Sequence, residues 1–296
     1  MAILDTTQAT PSAKFPADYT RKAKRSPMRW VVLGGMVLIG IVILAPLVLM
    51  LLNAFKSPND YATGGPMLLP EKLYFDGLLT YWEASDFPRK LWNSTFISTI
   101  SATISVVLSF LTAYSIGVGK IRGSKALILF FLTATMLPHE ALVYPLVTMF
   151  KDVGLYNNLW SVTLIQGVIH MAFGTYLLSS VMGTLPKAIL EAAAIDGAGR
   201  FRVLCQVVLP LVKNSLAVLM VFFFIWTWND FFISLVMLVS NDVQTVPLAL
   251  ALLQDDQMMD VPTTNAATLI SIIPALIFFL IFQRTLTKGV AVGAVK

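Results

Sequence analysis

The amino-acid sequence predicts an all-α membrane protein built around six transmembrane helices. Of its 296 residues, 57% are hydrophobic and only 12% are charged, whereas a soluble domain carries about 25% charged residues. The mean hydropathy of +0.77 fits a chain that is largely surrounded by lipid. Six segments are long and apolar enough to cross roughly 30 Å of hydrocarbon, which takes about 20 residues of helix.

The predicted spans are six segments that follow one another along the chain, at 30–53, 92–118, 126–150, 159–183, 214–238 and 265–283. The first is too long for the apolar core of a signal peptide and no convincing cleavage site follows it, so we predict an uncleaved anchor. Four prolines lie inside spans: Pro46, Pro138, Pro145 and Pro274. Proline is tolerated in membrane helices because neighbouring helices satisfy the backbone groups that it frees.

Basic residues are concentrated on one predicted side of the membrane. Of the 21 Lys and Arg residues, 16 lie in the segments 1–29, 117–125, 184–213 and 284–296. Basic loops stay in the cytoplasm, so we predict that both termini are cytoplasmic. The net charge of +5 is then a signal of topology and not of nucleic-acid binding. The predicted organisation is a mobile cytoplasmic tail at 1–29 and a six-span domain at 30–296 that ends in a cytoplasmic tail at 284–296.

Three further segments have a predicted role outside the spans or between them. The outer segment 54–91 is expected to form short helices against the outer surface, and 239–264 is a second outer segment. The basic run from Arg21 to Arg25 is a candidate contact with anionic lipid headgroups.

On the second span, small residues recur every four positions, at Ser101, Ser105, Ser109 and Ala113. Their common face packs closely either on another helix of this chain or on a partner subunit.

The sequence lacks the motifs of nucleotide binding, metal binding and common hydrolytic chemistry. No G-x-x-x-x-G-K-[ST] loop is present to cradle ATP phosphates, and there is no CxxC, HExxH or GxSxG. The single Cys205 cannot form an internal disulfide. His139 and His170 are far apart and lack a metal-ligand pattern. We therefore expect no cofactor or metal in this chain, and a membrane enzyme is disfavoured.

The segment 184–213 has a pattern that a simple connector between spans does not need. Pro186 suits a helix start, and the Ala-rich stretch 188–195 is a strong helix former. Gly197 suits a reversal of the chain, because a positive φ is cheap only for glycine. Residues 200–208 are predicted to form a second short helix that Pro210 stops. The result is a helix–turn–helix parallel to the membrane, with small side chains suited to a cleft on another protein.

This segment resembles the EAA loop of bacterial ABC-importer permeases. The matching residues are Glu191, Ala192, Ala193, Asp196, Gly197, Leu209 and Pro210. Val207 stands where isoleucine is more usual in that loop. The string from Glu191 to Ala198 is similar to the carbohydrate branch, to which the maltose-type permeases belong.

The resemblance extends along most of the chain after residue 75. It includes Trp92-Asn93-Ser94, Tyr144-Pro145-Leu146, Gly154-Leu155-Tyr156-Asn157-Asn158 and Trp228-Asn229-Asp230-Phe231. The Gly-rich ending 289–296 is similar to that of the second, six-span maltose-type subunit. The resemblance implies the MetI-like fold of type I importers and a place in the bacterial inner membrane. It also implies four kinds of partner: a second and different permease subunit, two ATPase subunits that hold ATP and Mg²⁺, an extracytoplasmic solute-binding protein and a carbohydrate.

Polar residues within the spans are candidates for the solute path, because ionisable groups in the membrane are costly and default to functional roles. They are Trp226, Trp228, Asn229, Asp230 and Glu140. Asn and Asp can hydrogen-bond sugar hydroxyls, and Trp can stack on the apolar face of a sugar. The alternative is that Asp230 and Glu140 hold helices together through buried hydrogen bonds. The resemblance adds that in maltose-type systems the partner subunit supplies most sugar contacts.

The second outer segment contains a polar stretch made of Gln254, Asp255, Asp256 and Gln257. By resemblance to the maltose-type subunit, this stretch is a candidate contact with the binding protein. The alternative is a solvated loop, although loops often carry function.

The sequence therefore predicts the permease subunit of an ATP-driven carbohydrate importer, with ATP hydrolysed by another chain. Within transport, the rival solutes are a polyamine, an amino acid or glycerol phosphate. An acidic solute would predict Arg or Lys facing the path, and none lies well inside spans three to five, which favours a neutral solute. An ion-coupled transporter using Glu140 and Asp230 is a further rival, but it does not explain the segment 184–213.

Overall fold

The computed structural model describes residues 28–119, 121–255 and 260–294, with the side chains of 253–255 and 284–294 left aside. Every regular element in these ranges is helical, so the all-α prediction is confirmed. The chain divides into two compact units, one ending at Val48 and the other beginning at Leu49. The predicted mobile tail falls on residues 1–27, outside the described ranges, and on Met28 and Arg29, which begin the first helix.

The helices follow in chain order as α1 Met28–Asn53, α2 Pro58–Gly64, α3 Asp76–Ala84, α4 Phe87–Gly117, α5 Ser124–Ala134, α6 Val143–Asp152, α7 Leu159–Gly183, α8 Lys187–Ile195, α9 Arg200–Arg202, α10 Leu209–Trp228, α11 Phe232–Met237, α12 Val246–Asp255 and α13 Val261–Ala294. Short 3₁₀ turns cover His139–Leu142 and Asn241–Val243, and a π-helical turn covers Val203–Val208. Helices α2 and α3 confirm the short helices predicted between 54 and 91.

Five helical stretches in the described ranges are long and apolar enough to cross a membrane. They are Met28–Asn53, Phe87–Gly117, Leu159–Gly183, Arg200–Trp228 and Val261–Gln283. The count rises to six if the bent pair Ser124–Ala134 and His139–Asp152 is one span. The last helix continues to Ala294, so the backbone of the predicted tail is helical as far as that residue.

The third predicted span, 126–150, is wrong as a continuous helix. Helix α5 ends at Ala134, and the two halves meet at an angle of 93°. Pro138 has an extended backbone with ψ 122°, and a residue before proline is itself pushed away from helical geometry. Because of this break, His139 and Glu140 lie on a 3₁₀ turn between α5 and α6 and not within a continuous transmembrane helix.

The fifth predicted span, 214–238, is wrong at both ends. The helix starts at Arg200 and runs without interruption through the π turn into α10, so Pro210 does not stop it. Pro210 instead is the second residue of α10 and directly follows the π turn at Val203–Val208. The helix then ends at Trp228, and Asn229 caps it with its backbone N–H on the Ile225 carbonyl.

The centre of the bundle is the close packing of α4 on α7. The Oγ atoms of Ser101, Ser105 and Ser109 donate to the carbonyls of Thr163, Gly167 and Met171 at 2.9, 2.9 and 3.2 Å. All three serines are fully buried. The small-residue stripe of the second span therefore packs inside this chain. Helix α10 closes the cluster with Leu219 and Phe223, which are also fully buried.

The segment between α11 and α12 is held on the first turns of α4. The buried Lys90 ammonium donates to the backbone and side-chain oxygens of Asn241, and the Asn93 amide donates to the carbonyls of Asp242 and Gln244, both at 2.9 Å. These bonds give a structural role to part of the Trp92-Asn93-Ser94 motif. Further along, Gln254 and Asp255 end α12, while Asp256 and Gln257 lie outside the described ranges.

Candidate functional site

A cavity of about 480 Å³ opens among the break in the third span, α7 and the end of α10. Its walls combine aromatic, acidic, imidazole and amide side chains with a few aliphatic ones. The lining residues are Thr135, His139, Glu140, Gln166, Ile169, His170, Phe173, Ile225, Trp226, Asn229, Asp230, Phe232 and Ile233. The volume lies within the range of roughly 300–1,000 Å³ that is usual for small-molecule sites.

One wall of the cavity is a cluster of aromatic rings centred on Trp226. The ring of Trp226 lies 5.2 Å from Phe173, 5.5 Å from His170 and 5.8 Å from Phe223, measured between centroids. His170 stacks on Phe223 at 5.4 Å with the two planes 8° apart. These contacts hold the indole in place, while 42% of Trp226 stays exposed. A held and exposed aromatic face is suited to stacking on an apolar ligand surface.

A polar part of the lining follows directly on α10, which ends two residues before Asp230. The carboxylate of Asp230 accepts hydrogen bonds from the Ser234 backbone N–H at 3.0 Å and from the Ser234 hydroxyl at 2.9 Å. The side chain of Gln166, on α7, lines the same cavity. Asp230 thus caps the start of α11. These hydrogen bonds give Asp230 a structural role within the segment that joins α10 to α11.

Glu140 and His139 reach the cavity because the third span is broken. The 3₁₀ turn from His139 to Leu142 presents both side chains to the same space as α7 and α10. Glu140 is exposed, and its carboxylate has no hydrogen-bond or ion-pair partner within the described ranges. A carboxylate without an internal partner is available to a ligand, unlike that of Asp230.

Four of the five residues predicted for the solute path meet in this cavity, and Trp228 is the exception. Trp228 is only 4% exposed, stacks on Phe224 at 5.7 Å and lines a second, apolar cavity with Phe278. Residues two apart on a helix do not share a face, so Trp226 and Trp228 point in different directions. The structure therefore does not place Trp228 with the other four candidates.

Helix α7 contributes three cavity residues that were not among the predicted site residues. Gln166, His170 and Phe173 are spaced by four and three positions, which places them on one face of a helix. The signal was present as polar residues repeating at helical spacing in an apolar span. His170 was instead set aside because it lacked a metal-ligand partner.

The segment 184–213 forms the first helix and the turn as predicted, but its second helix is not short, because it continues past Pro210 to Trp228. Helix α8 begins after Pro186, and Gly197 follows it with φ +70°. The N–H of Ala198 donates to the carbonyl of Ala193 at 3.0 Å, and the N–H of Gly197 donates to Ala194 at 3.1 Å. A bond across six residues around a left-handed glycine is the Schellman end of a helix. The turn predicted at Gly197 is confirmed.

The residues of this helix–turn–helix face two ways. Ala193 is buried, and Leu190 packs on the core cluster of α4, α7 and α10. Glu191, Ala192, Asp196 and Gly197 are exposed, as are the helix-start residues Leu209 and Pro210. Two apolar side chains that the sequence analysis did not single out are the most exposed in the segment: Ile195 at 86% and Phe201 at 78%.

The helix–turn–helix is also tied to the end of α4. The hydroxyl of Tyr114 donates to the carbonyl of Arg200 at 3.2 Å. Leu204 and Val208 of the π turn are buried in the core cluster. The exposed apolar and acidic side chains therefore sit on a base that is fixed to the spans.

Several apolar spans, a polar cavity among them and a protruding helix–turn–helix joined to that cavity are typical of a transporter's membrane subunit. The chain belongs to the family of binding-protein-dependent transport system inner membrane components, whose model matches residues 105–292. It is thus a multi-pass membrane permease, and its fold is that of the importer permeases.

Curated relatives resemble the chain over nearly their whole length. The arabinooligosaccharides transport system permease protein AraQ of Halalkalibacterium halodurans is 30% identical over 93% of this chain and 99% of its own. The trehalose transport system permease protein SugB of Mycobacterium tuberculosis is 29% identical over 90% of this chain and 97% of its own. A solved bacterial ABC transporter for the import of alginate includes a chain with the same fold, at a TM-score of 0.77 and 21% identity. That match covers 88% of this chain and 97% of the other.

Proposed function

We propose that this chain forms part of the solute path of an ATP-driven carbohydrate importer and couples that path to a separate ATPase. The observation that carries the proposal is the continuous helix from Arg200 to Trp228. At 1.5 Å per residue it extends about 43 Å. One end bears the exposed helix–turn–helix, and the other end forms the wall of the cavity through Ile225 and Trp226. A displacement of the exposed end is therefore transmitted to the cavity.

The carbohydrate class is supported by the names of relatives and by the chemistry of the cavity. The relatives named above carry arabinooligosaccharides and trehalose in their names. Trp226 offers a face for stacking, and Asn229, Asp230 and Glu140 offer hydrogen-bonding groups for hydroxyls. The same combination of aromatic and polar groups suits a sugar ring, which has one apolar face and a polar edge.

The proposed partners are a second, different permease, two ATPase subunits that hold ATP and Mg²⁺, and an extracytoplasmic binding protein. In this arrangement both termini and the helix–turn–helix are cytoplasmic. A related solved alginate transporter is described in complex with an alginate-pentasaccharide-bound periplasmic protein. Residues 254–257 remain the proposed contact with such a protein.

The test of the proposal is purification of the chain from its native membrane together with whatever binds it. We expect an ATPase and a second permease to co-purify, and uptake in vesicles to require internal ATP. The chain alone is expected to bind no nucleotide, because it lacks a phosphate-binding loop. Stoichiometric ATP binding by the isolated chain, or uptake that survives ATP depletion but collapses with an uncoupler, would overturn the proposal.

Asp230→Asn is expected to reduce uptake about tenfold while the importer still assembles. Charge-assisted hydrogen bonds contribute about 1.5–3 kcal/mol, and 1.4 kcal/mol corresponds to a factor of ten in an equilibrium constant. Asn keeps an oxygen that can accept from Ser234, so the cap of α11 survives. The measurement is uptake at matched importer levels, with Thr95→Ala as the control because the Thr95 hydroxyl bonds only within α4. Normal uptake by the Asp230 variant would leave this residue a structural role only.

A further inference from the structure

The cavity is lined by acidic and imidazole side chains, and this feature does not follow from its volume or its location. Its lining contains two carboxylates, Glu140 and Asp230, and two imidazoles, His139 and His170. Neither Lys nor Arg is among the lining residues within the described ranges. An anion that enters the space therefore meets carboxylates and no permanent positive charge.

Two polar side chains in the cavity are not used up by contacts within the protein. Glu140 is exposed and has no partner within the described ranges. His170 lines the cavity and is only 8% exposed. One of its ring nitrogens, Nδ1, lies 3.5 Å from the Thr227 hydroxyl. Its other ring nitrogen has no hydrogen-bond partner in the part of the chain that the structure describes. The free ring nitrogen of His170 and the carboxylate of Glu140 are therefore both available to a ligand in the cavity.

We propose that the cavity is a charge filter: it accepts an uncharged saccharide and excludes saccharides that carry carboxylate or phosphate groups. The proposal rests on the proposed function and assigns its substrate class. The uncharged ring stacks on Trp226, and its hydroxyls donate to Glu140 and Asp230. The low dielectric of the surrounding spans strengthens repulsion between these carboxylates and an acidic group on the solute.

Glu140 is the principal element of the filter, because the Asp230 carboxylate already accepts two hydrogen bonds from Ser234. Clefts lined by one sign of charge within low-dielectric walls change the local concentration of ions by about 10-fold to 1,000-fold. The filter therefore does not depend on steric exclusion of an acidic sugar. Its effect is measured as the difference in reaction rate between two probes of equal size and opposite charge.

The test measures the charge preference of the cavity in the complete importer, without the solute. In a Cys205→Ser background, a single reporter cysteine is placed at Asn229→Cys or, separately, at Phe232→Cys, both in the lining. Each is treated with a cationic and an anionic methanethiosulfonate of similar size, with and without ATP. A cysteine at Ala62→Cys, exposed on α2 and outside the lining, is the matched control.

We expect the ratio of cationic to anionic reaction rates to be about tenfold higher at the cavity reporters than at the control. Adding Glu140→Gln should lower that ratio at both reporters by at least about threefold, and adding Asp230→Asn should lower it less. Equal ratios in the cavity and at the control overturn the proposal. So do ratios that both neutralising variants leave unchanged. Failure of both reporters to react under either condition also overturns it, because the cavity is then closed to solutes.

The test of the charge filter and the test of the proposed function can fail independently of each other. The rate ratio uses neither uptake nor ATPase activity, so a uniform ratio refutes the filter and leaves ATP-driven import standing. A high ratio in a chain that co-purifies with no ATPase refutes the importer and leaves the cation-favouring cavity.

Discussion

Gly197→Val is expected to abolish solute uptake while ATPase activity persists at its unstimulated rate. Gly197 has φ +70°, a region that costs a residue with a side chain about 1–2 kcal/mol and a β-branched residue more. No atom of the described residues lies within 4 Å of a Cβ placed there, so the cost is conformational and not steric. Relief of that strain is expected to rotate α9 relative to α8 and so to change the position of the exposed Phe201 relative to the exposed Ile195.

The matched control is Gly199→Ala, two residues further along the same turn. Gly199 has φ −65° and ψ 161°, which any residue adopts, and a Cβ there also meets nothing within 4 Å. Uptake and stimulated ATPase should be measured together for both variants after reconstitution with the partners. Equal uptake by Gly197→Val and Gly199→Ala would remove the turn from the coupling mechanism.

Glu191→Ala tests the same surface without strain. Glu191 is exposed, and its carboxylate has no partner within the described ranges, so the chain itself should lose no stability. We expect weaker co-purification of the ATPase. An unchanged yield of the complex and unchanged uptake would assign Glu191 to solvation of the helix.

Gly174→Ala is expected to lower the amount of folded chain severely. A Cβ at this position would overlap the Ser109 Oγ, and it would lie 2.8 Å from the Ser109 Cβ and 3.0 Å from the Phe223 ring. Gly174 is therefore the point where α4, α7 and α10 meet, and a methyl group forces them apart. Overpacking in a tight core costs about 1–3 kcal/mol, occasionally more. The measurement is the thermal unfolding midpoint in detergent, with the steady-state level in the membrane.

Two further variants test whether steric overlap at Gly174 causes the loss of stability. Gly183→Ala, at the end of the same helix, adds the same methyl group where nothing lies within 4 Å, so it should be neutral. Ser109→Gly removes both atoms of the serine that the new methyl group strikes, so it should restore part of the stability of Gly174→Ala. Equal midpoints for Gly174→Ala and Gly183→Ala would contradict the packing described here.

The prediction of the spans succeeded where a single local cause decides the structure. Lipid offers no hydrogen bonds, so a sufficiently long apolar segment such as 159–183 must be a helix. The stripe from Ser101 to Ser109 repeats at helical spacing, and this was enough to place it at a close helix contact. Whether that contact lay within the chain or with a partner needed the position of α7.

The third and fifth spans were mispredicted because a proline can either break a transmembrane helix or be accommodated within it. At Pro138 the chain breaks by 93°, whereas at Pro210 the helix continues behind a π turn. The local restriction on the preceding residue is the same in both cases. What differs is the structure of the adjoining residues, a 3₁₀ turn at His139–Leu142 after Pro138 and a π turn at Val203–Val208 before Pro210.

The sequence by itself determined the apolar spans, the absence of a phosphate-binding loop and the turn at Gly197. These depend on composition or on the conformational freedom of one residue. Only the tertiary structure decided which polar side chains share a cavity. Glu140, His170 and Asp230 lie on three separate elements, and the fold brings them together through helix packing and the break at Pro138. No local period encodes such a meeting, because it results from contacts between residues that are distant in the chain.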